Sequence, residues 1–482
     1  MIDGEQRGLP IYRLTAWLAV LGLGYLIVLR LDLPGHLSFD SVLSLREGRL
    51  HVHNTWNPAF FGWLLGVFDR IHRGTALYVA VVAGGMFASL AAMALLRPRL
   101  SWLAPPVAAA LLATPQFVIY QGIVWKDVVF ANVALAAFLC LAFTARRPIG
   151  RLRLAGLVLS VVLFAAAGLL RQNGLVLILP AAVAVAWSAR AGGWRRAAVL
   201  AAGWMAAVLA MTLVLASVAQ PQGIGPPDRS GAQGLSVLQR FDLSGAAARI
   251  PGFPLTHLER ADPQLAAAFR RQAQALYTPD RVDTLSASPQ LHRFYKTLPT
   301  APLQADWRDL LLHHPLDYLG LRTAAFRWVV ATPQIEKCLP IFVGVQAPDD
   351  ALADLGMHPR QDQRDRDLFN YGMKFLHTPA MSHLAWGLVA LLAGAALMVR
   401  RDPADIPMLA MLVGAFLFAA SFFVLSIACD YRYLYFLDLA AMAATLYLAL
   451  DPSLWRRPTP SAPGAPAPQA SQRATNPRGS DV

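Results

Sequence analysis

The feature that most constrains this chain is a recurrence. Nearly charge-free apolar stretches of about 20 residues alternate with short segments that carry arginine. A soluble fold cannot bury so many such stretches, so the pattern specifies an all-α polytopic membrane protein. In order, the stretches are Thr15–Leu33, Thr75–Leu96, Trp102–Tyr120, Val128–Thr144, Leu154–Leu170, Gly174–Trp187, Ala197–Ala219, His383–Val399, Pro407–Ala428 and Tyr433–Leu450. That makes about ten spans. Pro105, Pro106 and Pro115 kink or break the third. Ala59–Phe68 is apolar but too short to cross, and reads as an interfacial helix started by Asn57-Pro58. Arg7 and Arg13 precede the first stretch, which is longer than a signal-peptide core and has no clear cleavage site. It therefore reads as a retained helix.

Charge orients the spans. The net charge of +13 would suggest nucleic acid in a soluble protein, but its placement argues otherwise. From Gln220 to Ser382, 17 basic residues balance 16 acidic ones, while the rest of the chain holds 25 basic against 13 acidic. The excess lies in short loops such as Arg146–Arg153 and Arg190–Arg196. This is the positive-inside signature, and no nucleic-acid partner is needed. On this reading both termini are cytoplasmic. The first loop (34–58), Trp125-Lys126-Asp127, Arg171-Gln172-Asn173, the long segment 220–382 and Asp430-Tyr431-Arg432 all lie on the opposite, periplasmic side of a bacterial inner membrane.

The expected organisation is an N-terminal transmembrane module (1–219), a mainly helical loop or lid (220–382), C-terminal transmembrane helices (383–450) and a disordered cytoplasmic tail (451–482) rich in Pro, Ala and Ser. Within the loop, Asp262-Pro263 should open a helix reaching about Tyr277. Ala305–His314 and Leu316–Ala331 should also be helical. The last is amphipathic and bears Arg322 and Arg327, so it should lie along the bilayer surface.

The candidate chemistry sits on the periplasmic side. Asp40 is a lone acid just past the first span; it is either a site carboxylate or the cap of a short helix from Ser41. Lys126, Arg171 and Arg432 each end a span on the side where the positive-inside bias disfavours cations. They are therefore either helix-end anchors or the binding set for an anionic headgroup. Arginine suits phosphate, because its planar fork donates two parallel hydrogen bonds. Lys126 and Asp127 could simply pair. His51 and His53 could ligate a metal together with a carboxylate. Asp438 lies inside the last span, where an acid is costly, and should pair with one of the arginines. Cys338 and Cys429 both fall on the periplasmic side, where a disulfide would persist, though two free thiols fit equally well; Cys140 is a small apolar residue of a span.

This layout resembles the C-type (GT-C) integral-membrane glycosyltransferases that use polyprenyl-phosphate sugars, such as protein mannosyltransferases and aminoarabinose transferases. The resemblance covers about Thr15 to Leu450 and is one of arrangement more than of motif. Asp40 in LSFD matches the acid of their first periplasmic loop. Where many of them have His-Pro-Pro, this chain reads Asn57-Pro58-Ala59. WKDVVF (125–130), LLRQNG (169–174) and HPLDYLGLR (314–322) look like segments of a less characterised bacterial branch, and Arg432-Tyr433 resembles the basic residue that opens a late helix. The resemblance implies an inverting transfer from a polyprenyl-phosphate sugar to a glycan, lipid or protein acceptor. Asp40 would act as base or orient the acceptor hydroxyl. Lys126, Arg171 and Arg432 would stabilise the phosphate. Asp127, His51, His53 and Tyr433 would support the acceptor or a divalent metal, which is not a certain cofactor. Two rival classes remain: a lipid-linked glycan transporter or flippase, and a glycan polymerase or ligase with a diphosphate lipid donor.

Overall fold

A computed structural model describes residues 11–453, apart from 54, 56, 98–99, 147–149 and 221–229. The expected tail lies almost wholly outside the described residues. Helices and turns account for the fold; among the described residues the only β-pairing is a set of isolated bridges.

The first half contains α1 (Ile11–Asp32), α2 (Phe39–Leu50), α3 (Ala59–Ile71), α4 (Ala76–Ala92), α5 (Ala104–Leu112), α6 (Pro115–Val118), α7 (Lys126–Arg146), α8 (Arg151–Leu170), α9 (Ile178–Ala189) and α10 (Trp194–Ala219). A large helical region follows, with α11 (Ser230–Arg249), α12 (Thr256–Ala261), α13 (Pro263–Leu276), α14 (Pro289–Thr297), α15 (Thr300–His313), α16 (Pro315–Ala331), α17 (Asp349–Asp354) and α18 (Gln363–Met373). The chain then returns through α19 (His383–Arg400), α20 (Ile406–Leu425) and α21 (Tyr435–Leu450).

Among the described residues, nine helices are long and apolar enough to cross a membrane. The missing one of the expected ten is Trp102–Tyr120. There Pro115 starts a new helix after Leu112, so the crossing is made by α5, α6 and the 3-10 turn Tyr120–Gly122. It still runs the length of the bundle. At one end the Ser101 amide donates to Leu450 O, and at the other Val124 N donates to His36 O. The two ends of the bundle therefore alternate as the charge pattern requires.

Two apolar cores are present. The larger joins the spanning helices and also takes in Val329, Ile341, Val343, Leu352 and Leu368 from the second half of the helical region. The smaller is built from α11, α13, α15 and α16 around Phe241, Phe269 and Leu310. Asp262 caps α13 by accepting from the Gln264 and Leu265 amides, as the Asp-Pro start predicts. Arg322 departs from expectation. It is fully buried rather than lying along a surface, and it donates to Asp242 (2.8 Å), Phe423 O (2.9 Å) and Ser426 O (2.6 Å). It thus bolts α16 and α11 onto the end of α20.

Asp438 is likewise corrected. It is buried against His383 (2.9 Å) and the Tyr431 hydroxyl (2.8 Å), not against an arginine. Cys338 and Cys429 form a disulfide, which ties the turn after α16 to the segment leading into α21.

Candidate active site

The first loop is laced into place by its backbone. His36 N donates to Gly122 O, and Leu37 N donates to Gly344 O, so residues 36–37 lie between the start of α7 and the 344–346 segment. The His36 ring is buried at the centre of this joint. Its Nδ1 accepts from the Gly344 amide (2.9 Å), so Nε2 carries the proton and donates to Asp32 (3.0 Å). Burial, with the charges of Arg360 and Arg364, pushes the His36 pKa down to about 3, which keeps the ring neutral.

Two residues on, Ser38 is the N-cap of α2, and its hydroxyl accepts from the Trp125 indole (2.8 Å). Asp40 is therefore not a cap. It sits in the first turn of α2, where the helix N-terminus favours a negative charge. α3 packs tightly against α2, because Gly48, Gly62 and Gly66 let the backbones touch. A Cβ on Gly48 would lie 2.0 Å from Gly62 O. Asn57 lies just before α3, where it can face α7.

The cations converge on Asp40. Arg432 lies in the 3-10 turn Tyr431–Leu434 that opens α21, 392 residues away in sequence, and its Nη2 donates to Asp40 Oδ2 at 2.7 Å. The same nitrogen donates to Asp430 (3.1 Å), and Nε lies 3.7 Å from Asp127. The guanidinium is 4.9 Å above the Trp125 ring. Asp127 also contacts Arg171, whose guanidinium lies 5.0 Å from the Tyr433 ring centre. Lys126 donates to Asn57 Oδ1 (2.7 Å) rather than pairing with Asp127. Burial alone would raise the Asp40 pKa, but Arg432, Lys126 and Arg171 outweigh it and hold the carboxyl below its usual range. The side chain remains 18% exposed, so an ionised carboxylate beside an arginine is reachable from outside.

The structure thus brings together Asp40, Lys126, Asp127, Arg171, Arg432 and Tyr433. It does not bring His51 and His53 to them. His51 is the exposed left-handed C-cap of α2, about 16 Å along the helix axis from Asp40. His53 lies 3.5 Å from Glu47. His51 is thus at the far end of α2 from Asp40, and the contact of His53 is with Glu47 rather than with Asp40 or Asp127. Those two acids and Asp430 already surround Arg432, and a divalent cation there would have to compete with the guanidinium. Among the described residues, the group with metal-ligand spacing is elsewhere, at His257, Asp306 and Asp309. There, however, Asp306 uses both oxygens to accept the His257 and Leu258 amides and so caps α12.

Sequence reasoning underused three residues. Asn57 and Asp430 were named, one as the start of the interfacial helix and one beside Arg432, but given no part in the site. Arg281, 3.7 Å from Asp430, gave no local signal.

No protein-family model matches the chain, and no curated protein does. Among solved structures it is similar to the Archaeoglobus fulgidus oligosaccharyltransferase complex with zinc and sulfate, at 16% identity and a TM-score of 0.39 over 89% of this chain. It covers 48% of that protein, so it spans about half its length. It is also similar to ArnT from Cupriavidus metallidurans, in the apo state (TM-score 0.34) and bound to undecaprenyl phosphate (TM-score 0.32). Both ArnT comparisons give 15% identity over 90% of this chain and 78% of ArnT. Likeness of this degree concerns the path of the chain and carries nothing about activity.

Proposed function

We propose that this protein is an inverting membrane glycosyltransferase of the GT-C type, moving a sugar from a polyprenyl-phosphate donor to a cell-envelope acceptor. One observation carries the reading: an ionised, partly exposed carboxylate, Asp40, meets Arg432 at 2.7 Å at one end of a membrane bundle, with Lys126 and Arg171 joined to the same cluster. In the reaction the acceptor hydroxyl attacks the anomeric carbon as Asp40 takes its proton. The bond from that carbon to the donor phosphate breaks, and polyprenyl phosphate leaves. The phosphate passes from one negative charge to two, and Lys126, Arg171 and Arg432 are placed where that charge develops.

The disulfide supports a periplasmic orientation. Cys429 adjoins Asp430, a partner of Arg432, so the bond lies at the same end as Asp40, and disulfides persist in oxidising compartments. The arginine-rich loops at the opposite end agree with a cytoplasmic setting. In this reading the helical region 220–382 covers the site as a lid.

The test is glycosyl transfer by purified protein in lipid, supplied with polyprenyl-phosphate sugars. A new glycosidic bond is expected. Lipid movement without bond formation would instead indicate a transporter, and transfer only from a diphosphate lipid would indicate a polymerase or ligase. Mass spectrometry of envelope glycans with and without the gene identifies the sugar. Reporter fusions after Arg196 and Arg401 should read cytoplasmic, and one after Pro227 periplasmic; the reverse would overturn the orientation.

A further inference from the structure

Among the buried polar sets that the proposed chemistry does not use, one adjoins Arg432. Asp438 and His383 are both fully buried inside the bundle, and a carboxylate there is costly unless it serves a purpose. Asp438 Oδ1 bonds His383 Nδ1 (2.9 Å), and its Oδ2 accepts from the Tyr431 hydroxyl (2.8 Å). Tyr431 Oη in turn accepts from Gln116 Nε2 (3.0 Å), and the His383 ring stacks on the Tyr431 ring with centroids 4.0 Å apart. Asp438, His383 and Gln116 each touch Tyr431, the residue next to Arg432 in the same turn.

We infer that Asp438, His383 and Gln116 act through Tyr431 as a positioning set that aims Arg432 at the donor phosphate; this rests on the function proposed above. The turn Tyr431–Leu434 is a single 3-10 turn, too short to hold its own direction. Tyr431 points into the bundle, while Arg432 reaches Asp40. Fixing Tyr431 at its hydroxyl and over its ring therefore fixes the root of Arg432. Tyr435 is anchored in the same way, donating to Gln116 O (2.8 Å) and accepting from Gln121 Nε2 (2.8 Å), so both flanks of the turn are tied to the broken segment after α5. A purely structural role is a weaker account. Well-packed apolar residues of similar volume often replace a buried ionic set without loss of stability. The set is also not closed, since His383 Nε2 and Gln116 Oε1 are buried without a hydrogen-bond partner.

The test is a double-mutant cycle. Tyr431→Phe removes one hydroxyl and keeps the ring stack. It should raise the donor KM about ten-fold with little change in the acceptor KM, should lower the melting temperature because buried Asp438 loses a donor, and should add nothing to the donor KM in an Arg432→Lys background. Gln116→Met, which removes the other bond to Tyr431, should act in the same direction and serves if the first variant expresses poorly. Full additivity with Arg432→Lys, or a loss of stability with unchanged KM, would overturn the inference. Should the wild-type protein transfer no sugar from any polyprenyl-phosphate donor, the proposed function falls and the positioning claim is decided by structure. An Arg432 still bonded to Asp40 in the Tyr431→Phe protein refutes it, and a displaced Arg432 upholds it.

Discussion

The two ends of the bundle carry the same residue types put to different use. At the end opposite Asp40, Arg400 Nε donates to Asp405 at 2.6 Å and Arg97 Nη2 donates to Asp405 at 2.7 Å, with all three side chains fully buried. The Tyr447 hydroxyl adds a third bond to Asp405 (3.0 Å), and its ring lies 4.1 Å from the Arg97 guanidinium. Arg97, Arg146 and Arg400 there balance Asp402, Asp405 and Asp451. At the Asp40 end, Arg432 bonds Asp40 and Asp430, Arg171 contacts Asp127, Arg281 lies between Asp430 and Asp283, and Asp40 and Arg432 stay 18% and 10% exposed. The sealed Arg97–Asp405–Arg400 centre is a lock between helix ends. The open Asp40–Arg432 pair can be reached by a ligand. The presence of arginines beside aspartates therefore does not separate structure from function; the exposure of the central pair does.

Four changes would break or sharpen that contrast. The largest effect is expected at the lock: Asp405→Ala leaves Arg97 and Arg400 buried without their main partner and should cost about 3–5 kcal/mol of stability. Thermal melts would show it, while specific activity of the surviving folded protein stays near wild type. At the open end, Asp40→Asn should lower glycosyl transfer by about 100-fold or more, with a fall in melting temperature smaller than that of Asp405→Ala. Wild-type transfer by stable Asp40→Asn protein would end the base assignment. Arg432→Lys keeps the charge and loses the fork. Steady-state kinetics should show the donor KM rising about ten-fold while the acceptor KM moves less. The smallest effect concerns pH. Because the Asp40 pKa lies below its unperturbed value of 3.8, its ionisation contributes stability above about pH 4 that is lost as pH falls through the lower folded value. The free-enzyme profile of kcat/KM should accordingly show no acid limb from Asp40 between pH 5 and 8, and a limb near pH 6 would mean that Arg432 does not hold Asp40 in solution.

Much of the site was legible because membranes tax charge. Lys126, Arg171 and Arg432 stood out as cations on the disfavoured side of their spans, and Asp40 as an acid just past the first. The same logic failed for Asp438, where an arginine seemed the natural partner. A fully buried histidine at the start of α19 took that place, and a His–Asp pair leaves no mark in hydropathy. It failed also for His51 and His53, whose spacing suggested ligands. α2 is continuous from Phe39 to Leu50, so His51 stands at its far end from Asp40, and His53, beyond the helix, meets Glu47.

The sequence by itself determined that the chain is an all-helical membrane bundle, which end of it is arginine-rich and where most helices start, because apolar length, charge placement and signals such as Asp262-Pro263 are local quantities. Only the tertiary structure decided which charges meet. The contact between Asp40 and Arg432 spans 392 residues, and that between Arg322 and Asp242 spans 80. Which acids a cation finds depends on how helices pack and on whether loops seal their ends. Those are properties of the assembled bundle, where burial removes the water that would otherwise screen each charge from its partner.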